Sequence, residues 1–252
     1  MTGAARGIGR GIAELLVAQG WLVVLSDVDA EGVRRTADEI GAVAGVAHDV
    51  RDPDAHRAVA AAALEHAPLT AWFNNAGVGF DGTLAELAEE RVRALVDINL
   101  LGTLWGMRAA FDAFGPAGGD VVNTASLSGL GPVPGLSVYA ATKAAVVSIT
   151  TSVAHEAPPG VRVHAICPDG VATDMVREMS DDGVGKRLVL SGGRLLTVEE
   201  IARDAVDLLG ARRVLRTVPG WRGVVMRTSA LVPSLAGAGL RASASQGSRH
   251  LR

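Results

Sequence analysis

The stretch MTGAARGIGRGIAELLVAQGWLVVLSD, residues 1–27, decides how the chain reads. Glycines at positions 3, 7 and 9 open it. An amphipathic run, Ile8–Gln19, follows, and Gly20 stands where a helix ends on a left-handed C′ residue. The apolar run Trp21–Ser26 then ends on Asp27. Glycines permit a tight turn and let backbone N–H groups approach a pyrophosphate at the positive end of a helix. An acid about 20 residues further on can accept hydrogen bonds from ribose hydroxyls and would repel a 2′-phosphate. Arg6 and Ile8, inside the turn, complete the candidate cradle, and Arg6 could instead pair with such a phosphate. Plainer readings stay open. Glycine is abundant at 31 residues, so the turn can be an ordinary one, and Asp27 can be a helix N-terminal turn residue.

Only Met1 and Thr2 precede these glycines, whereas such a turn follows the central strand of a dinucleotide fold. The first strand is therefore expected to be truncated, leaving an open gap or a distorted sheet between Trp21–Ser26 and Leu69–Phe73. Outward from there, apolar runs alternate with longer amphipathic stretches. Further strands are expected at Val43–Ala47, Asp120–Thr124, Val161–Ile166 and Val214–Val218. Helices are expected at Ala30–Ile40, Pro53–His66, Glu89–Phe114, Ser137–Ala157, Thr173–Ser180 and Val198–Leu209. Continuous rather than alternating apolar strands suit a sheet covered on both faces, and strand–helix alternation implies a parallel, doubly wound α/β sheet.

The 252 residues suit one large domain, here residues 1–240, with a tail at 241–252 expected to be disordered. A net charge of −3 gives no electrostatic case for nucleic acid or an acidic membrane. Cys167 is the only cysteine, and the six histidines have no metal-binding spacing, so no metal site is expected. No transmembrane or signal segment is legible, which makes a cytoplasmic protein the default.

Four further signals carry chemistry. Asp49 and Val50 follow the third expected strand, where Asp49 could bond an adenine edge or be a plain loop acid. Asn74-Asn75-Ala76-Gly77 follows another strand at the ligand side of such a sheet, or makes a plain turn. Asn99 lies inside a long helix, a poor place for it by propensity. Ser126 sits just past a strand, thirteen residues before the only tyrosine, Tyr139. Lys143, one of two lysines, lies four residues after that tyrosine, on the same helix face. An ammonium there is expected to lower the phenol pKa and make it a usable acid near neutral pH. Alone, YAATK could equally be an exposed helix pair.

In this order and spacing, TGAARGIG, NNAG, Asn99, Ser126 and YAATK resemble the short-chain dehydrogenase/reductase family over roughly residues 2–175. The resemblance implies a single-domain Rossmann-like fold and a nicotinamide cofactor. It also implies a tetrad of Asn99, Ser126, Tyr139 and Lys143. Gly3, Arg6, Gly7, Ile8, Gly9, Asp27, Asp49, Val50, Asn75, Ala76, Gly77, Tyr139, Lys143 and Thr173 would then hold the cofactor. Interconversion of an alcohol and a ketone or aldehyde follows, with Tyr139 as acid/base. Because of Asp27, NAD is expected over NADP, which stays an alternative because of Arg6.

Two departures stand out. Asp169 occupies a position usually held by glycine after the sixth strand, and the segment 219–240 diverges from the usual C-terminus. The latter favours a homodimer over a tetramer and is expected to be helical over Trp221–Leu240. A lid is expected at about residues 175–196, and its partly apolar character hints at a hydrophobic alcohol or ketone beside the alternative of ordinary lid packing. Two rival functions remain: a cofactor-binding sensor or scaffold without turnover, and an inactive truncated fragment.

Overall fold

The computed structural model describes residues 1–231, so the tail at 241–252 and the end of the divergent segment lie outside the described residues. Six short parallel strands form: β1 Val24–Asp27, β2 Ala44–Ala47, β3 Ala71–Asn74, β4 Gly119–Thr124, β5 Val161–Pro168 and β6 Leu215–Val218. Successive side chains of a strand point to opposite faces. Phe73, Val122 and Ile166 therefore share one core, under α1 Gly7–Ala18, α2 Ala30–Ile40 and α9 Val198–Val206. Their neighbours Trp72, Val121 and Val163 face the other core, against α3 Pro53–Leu64 and α5 Gly102–Ala113. Helix starts follow local chemistry. Asp29 caps α2 by accepting from Gly32 N–H, and Asp52 caps α3 ahead of Pro53 at its first position.

The expected helix Glu89–Phe114 is one rod in three parts: α4 Glu89–Ala94, a π-helical stretch Leu95–Leu101, and α5. α6 Ser137–Val153 follows β4 after a 3-10 turn at Leu127–Leu130. The lid region holds α7 Asp174–Arg177 and α8 Val184–Leu190, of which α8 was not expected. The expected C-terminal helix is present as α10 Gly220–Leu231. Among the described residues, no helix is long and apolar enough to cross a membrane.

The centre of the sheet meets one expectation in part: the gap is there, but only over half its length. Regular pairing gives β2-β1 on one side and β3-β4-β5-β6 on the other. Met1–Ala4 lies between them as a minimal strand, with Thr2 in a parallel bridge to Ser26. Ser26 N–H donates to Met1 O at 2.8 Å, Ala4 N–H to Ser26 O at 3.2 Å, and Thr2 N–H to Phe73 O at 3.1 Å. The upper half of the central position is thus filled and bonded. The lower half is a cleft of about 70 Å³ lined by Met1, Leu16, Trp21–Val24 and Leu69–Phe73. β1 accordingly starts at Val24 rather than Trp21, and Leu22 is exposed.

Candidate active site

A cavity of about 650 Å³ runs along the carboxyl ends of the strands, from Asp27 and Asp49 past Gly3 and Gly7 to Ser126 and Tyr139. The glycine-rich turn forms its floor and is held by a network the sequence did not disclose. Thr2 Oγ1 accepts from both Asn75 N–H and Ala76 N–H at 3.0 Å. The Asn75 side chain returns two bonds, to Thr2 O at 3.3 Å and Gly3 O at 3.0 Å. Gly3, at φ +62°, lies so close to this loop that an added Cβ would sit 2.6 Å from Ala76 Cα. Gly9 is buried and packs against the Gly3 carbonyl rather than lining the cavity. α1 begins without a side-chain cap, so the backbone N–H groups of its first turn lie beside the cavity at Gly7 and Ile8.

The paired amides of Asn74-Asn75 divide in role. Asn75 and the backbone of Ala76 and Gly77 line the cavity. Asn74 turns into the protein, accepting from Trp72 Nε1 at 2.7 Å and donating to Asn123 Oδ1 at 2.9 Å.

Tyr139 projects from the first turn of α6 and Ser126 from the start of the 3-10 turn, and both line the cavity. Burial raises the phenol pKa and the Ser126 hydroxyl pulls against it. The expected lowering by Lys143 is not the outcome. The Lys143 ammonium lies 5.9 Å from the Tyr139 ring centre and donates to Thr124 O at 2.8 Å. Burial brings Lys143 itself down to about 8.

Asn99 sits within the π-helical stretch, fully buried, and lies behind the cavity wall rather than in it. A π-turn widens the helix locally and re-aims one side chain, which answers the poor propensity of Asn there. Its carboxamide clamps the backbone of Val78, accepting from N–H and donating to O, both at 2.9 Å. It also donates to Thr142 Oγ1 at 3.2 Å, and that hydroxyl donates to Tyr139 O at 2.7 Å. Asn99 therefore links the loop after β3 to the turn of α6 that carries Tyr139.

At the rim, Asp27 Oδ2 accepts from Ala5 N–H at 3.0 Å, tying β1 to the turn. Asp49 is paired with Arg51 at 2.5 Å, which holds its carboxyl below the usual range, and Val50 lines the cavity beside it. Among the described residues, Arg6 makes no ion pair with Asp27. It pairs with Asp174 at 3.2 Å and Glu178 at 3.9 Å, across the cavity on and beside α7. Thr173 lines the cavity immediately before α7.

Sequence reasoning missed three neighbours. His48, pushed down to about 3 chiefly by burial, lies under the Asp27 end and bonds Ser26 Oγ at 2.9 Å. Arg222 and Met226, both on α10, line the far end. The His48 run AHDV showed no pattern, and α10 lay in the segment whose role had no precedent in the sequence.

The chain is similar to known proteins over most of its length. The family model described as short chain dehydrogenase matches residues 1–183. The chain is 35% identical to a cyclohexanol dehydrogenase of Acinetobacter, over 83% of this chain and 86% of that protein. A solved short chain dehydrogenase/reductase of Burkholderia phymatum in complex with NAD superposes with a TM-score of 0.75 at 29% identity, covering 86% of each chain. A 3-ketoacyl-(acyl-carrier-protein) reductase of Brucella melitensis complexed with NADH gives 0.77 at 31% identity, covering 86% of this chain and 94% of that one. The motif order, the parallel sheet and similarity across most of the length have one common source: this chain belongs to the short-chain dehydrogenase family.

Proposed function

We propose that the protein is a nicotinamide-dependent oxidoreductase that interconverts a hydrophobic alcohol and its ketone. The observation that carries this reading is the meeting of Tyr139, Ser126 and Lys143 at one end of a cavity whose other end is a glycine-rich turn.

The residues fit a dinucleotide. Uncapped N–H groups at Gly7 and Ile8 suit a pyrophosphate, and the Asp27 carboxylate, in the same cavity, would suit a ribose. Asn75, Ala76, Gly77, Thr173 and Lys143 line its course. When bound, the nicotinamide supplies the hydride acceptor or donor. The protein's own work is with the proton. In oxidation Tyr139 takes the proton of the substrate hydroxyl, and in reduction it gives one to the carbonyl oxygen. Ser126 steadies the substrate oxygen as negative charge develops. Burial favours the neutral phenol, so a positive charge delivered beside it is needed to bring it into range. Lys143 contributes part of that charge only below about pH 8, where it stays protonated. Asn99 acts by position, fixing Val78 and the Tyr139 turn relative to each other.

The Asp27 carboxylate and the direction of Arg6 both favour NAD(H) over NADP(H). The relatives just described differ in what their names say they act on, so the reading of a hydrophobic substrate rests on the lining instead. Val133, Leu136, Met175, Leu188 and Val189 face that end of the cavity. On the same reading the chain pairs with a second copy through the α4–α5 rod and α6. A panel of alcohols with NAD, and of ketones with NADH, tests the activity through the nicotinamide absorbance. No turnover across the panel would favour a binding protein without chemistry.

A further inference from the structure

The substrate end of the cavity is apolar along Val133, Leu136, Met175, Leu188 and Val189, and polar at Ser126, Tyr139 and Lys143 and at one further place. Asp169, just after β5, and Arg222, on α10, form an ion pair with Nε 2.7 Å from Oδ2. Their side chains are only 12% and 15% exposed, and both line the cavity that holds Tyr139. Buried ion pairs are a poor source of stability, because apolar residues of the same size often do as well. Their presence in the cavity wall therefore calls for another explanation.

The donor inventory suggests one. A guanidinium carries five N–H hydrogens. Among the described residues, Arg222 contacts Asp169 through Nε and donates to Ser191 Oγ from Nη2 at 3.2 Å, which leaves three. Gly192 packs closely against the pair. A Cβ at that position would lie 2.9 Å from Asp169 Oδ2 and 3.1 Å from Arg222 Nη1. A ligand that meets the pair does so from the cavity that Tyr139 also lines.

We propose that Asp169 and Arg222 recognise a second hydroxyl on the substrate. The preferred substrates are then apolar-bodied diols and hydroxyketones rather than simple alcohols or acids. This deepens, and rests on, the oxidoreductase reading above. The pair is neutral as a whole, so it offers no net attraction to a carboxylate. A hydroxyl can donate to Asp169 and accept from Arg222 at once. An analogue lacking that hydroxyl leaves buried polar groups unmet, which is how a site discriminates strongly.

The test compares cyclohexanol with the cyclohexanediol isomers, using the full chain and NAD. The expected result is a kcat/KM for at least one diol about tenfold or more above that for cyclohexanol, expressed mainly in KM. The double variant Asp169→Leu, Arg222→Met removes both charges together, so no ion is left unpaired. It should bring the diol-to-cyclohexanol ratio close to unity. Equal use of both substrates by the wild type overturns the proposal. So does a double variant that melts lower and loses activity on both substrates with the ratio intact, since the pair then only ties α10 to the loop after β5. Thermal shift with each compound, with and without NADH, separates recognition from chemistry. A diol that raises the melting temperature more than cyclohexanol does, without turnover, upholds the second recognition point and sinks the oxidoreductase reading. No turnover and no difference in shift overturns the proposal.

Discussion

The two ends of the sheet's central position make an instructive pair. At the carboxyl end, Met1–Ala4 bonds to both neighbouring strands, and Asn75 and Ala76 donate four hydrogen bonds to Thr2 and Gly3 across the turn. At the amino end the same position is a cleft, with Trp21–Val24 on one side and Leu69–Phe73 on the other. Geometry for chemistry is thus complete where the scaffold beneath it is thin. Site precision needs only the last turn of a strand, held by local hydrogen bonds. Stability needs the buried length behind it. The two ends should therefore answer differently to mutation.

The largest effect belongs to the upper end. Tyr139→Phe should lower kcat by about 10²–10⁴-fold, the usual contribution of a general acid–base group. NADH affinity and the melting temperature should barely change, because only one hydroxyl lining the cavity is removed. Wild-type turnover in this variant would end the assignment of the proton-transfer role.

The lower end should respond to length. In a polypeptide that begins at Met1, about five apolar β-formers joined ahead of it would enter the cleft and pair with strands on both sides. A net gain of only about 2 kcal/mol would raise Tm by roughly 4–8 °C, with kcat/KM altered less than about twofold because the sites are independent. pH sharpens the comparison. In a polypeptide that begins at Met1, burial holds the α-amino group at about 5, below its ordinary 8.0. The unfolded amine takes up a proton that the folded one refuses, so stability is lost as pH falls from about 8 to about 5. The extended polypeptide has no charge there, so its Tm advantage should widen over that window. A Tm gap that stays constant from pH 8 to pH 5 would show that the amine is not buried uncharged.

Thr2 joins the two ends and should show an intermediate effect. Thr2→Val deprives two backbone N–H groups of their acceptor, at a cost of about 1–3 kcal/mol. It should also weaken NADH binding, because Asn75–Gly77 loses its anchor. Thr2→Ser should restore both. Equal behaviour of the Val and Ser variants in urea melts would show that the hydroxyl bonds are dispensable.

The same contrast explains what was legible in sequence. Strand–helix alternation depends on local pattern, so every expected strand and helix core formed, with ends moved by a few residues. The order of strands and the gathering of Ser126, Tyr139 and Lys143 followed from the family motifs. The roles of Thr2 and Asn74 did not. Each depends on which partner a long-range packing brings within 3 Å, and a threonine before a glycine carries no local mark of that. Asn99 is a partial case: its low helix propensity marked it, but the π-turn that accommodates it is a property of the packed rod. Tyr139 shows the reverse error. Spacing put an ammonium four residues away, yet Lys143 is drawn to the Thr124 carbonyl and burial governs the phenol. Arg222 and α8 were missed because neither a lone arginine nor a seven-residue helix stands out from its surroundings.

Arg6 should give the smallest effect. Its sequence position allowed a pairing with a 2′-phosphate, which would favour NADP(H). Its side chain is 70% exposed and directed instead to Asp174 and Glu178, on and beside α7. Exposed ion pairs contribute about 0–1 kcal/mol. Arg6→Gln should therefore leave Tm nearly unchanged and alter the NAD(H)/NADP(H) ratio of kcat/KM by less than about fivefold, the equivalent of that energy. The small change it does make should come through lid closure, so it should shrink as salt is raised and screening increases. Asp27→Ala is the matched control. It removes the carboxylate that would face a 2′-phosphate and should shift the ratio toward NADP(H) by more than Arg6→Gln shifts it in either direction. Should Arg6→Gln move the ratio further than Asp27→Ala, the guanidinium reaches the ribose end when the cofactor is bound, and the turn is less fixed than its hydrogen bonds to Asn75 and Asp27 imply.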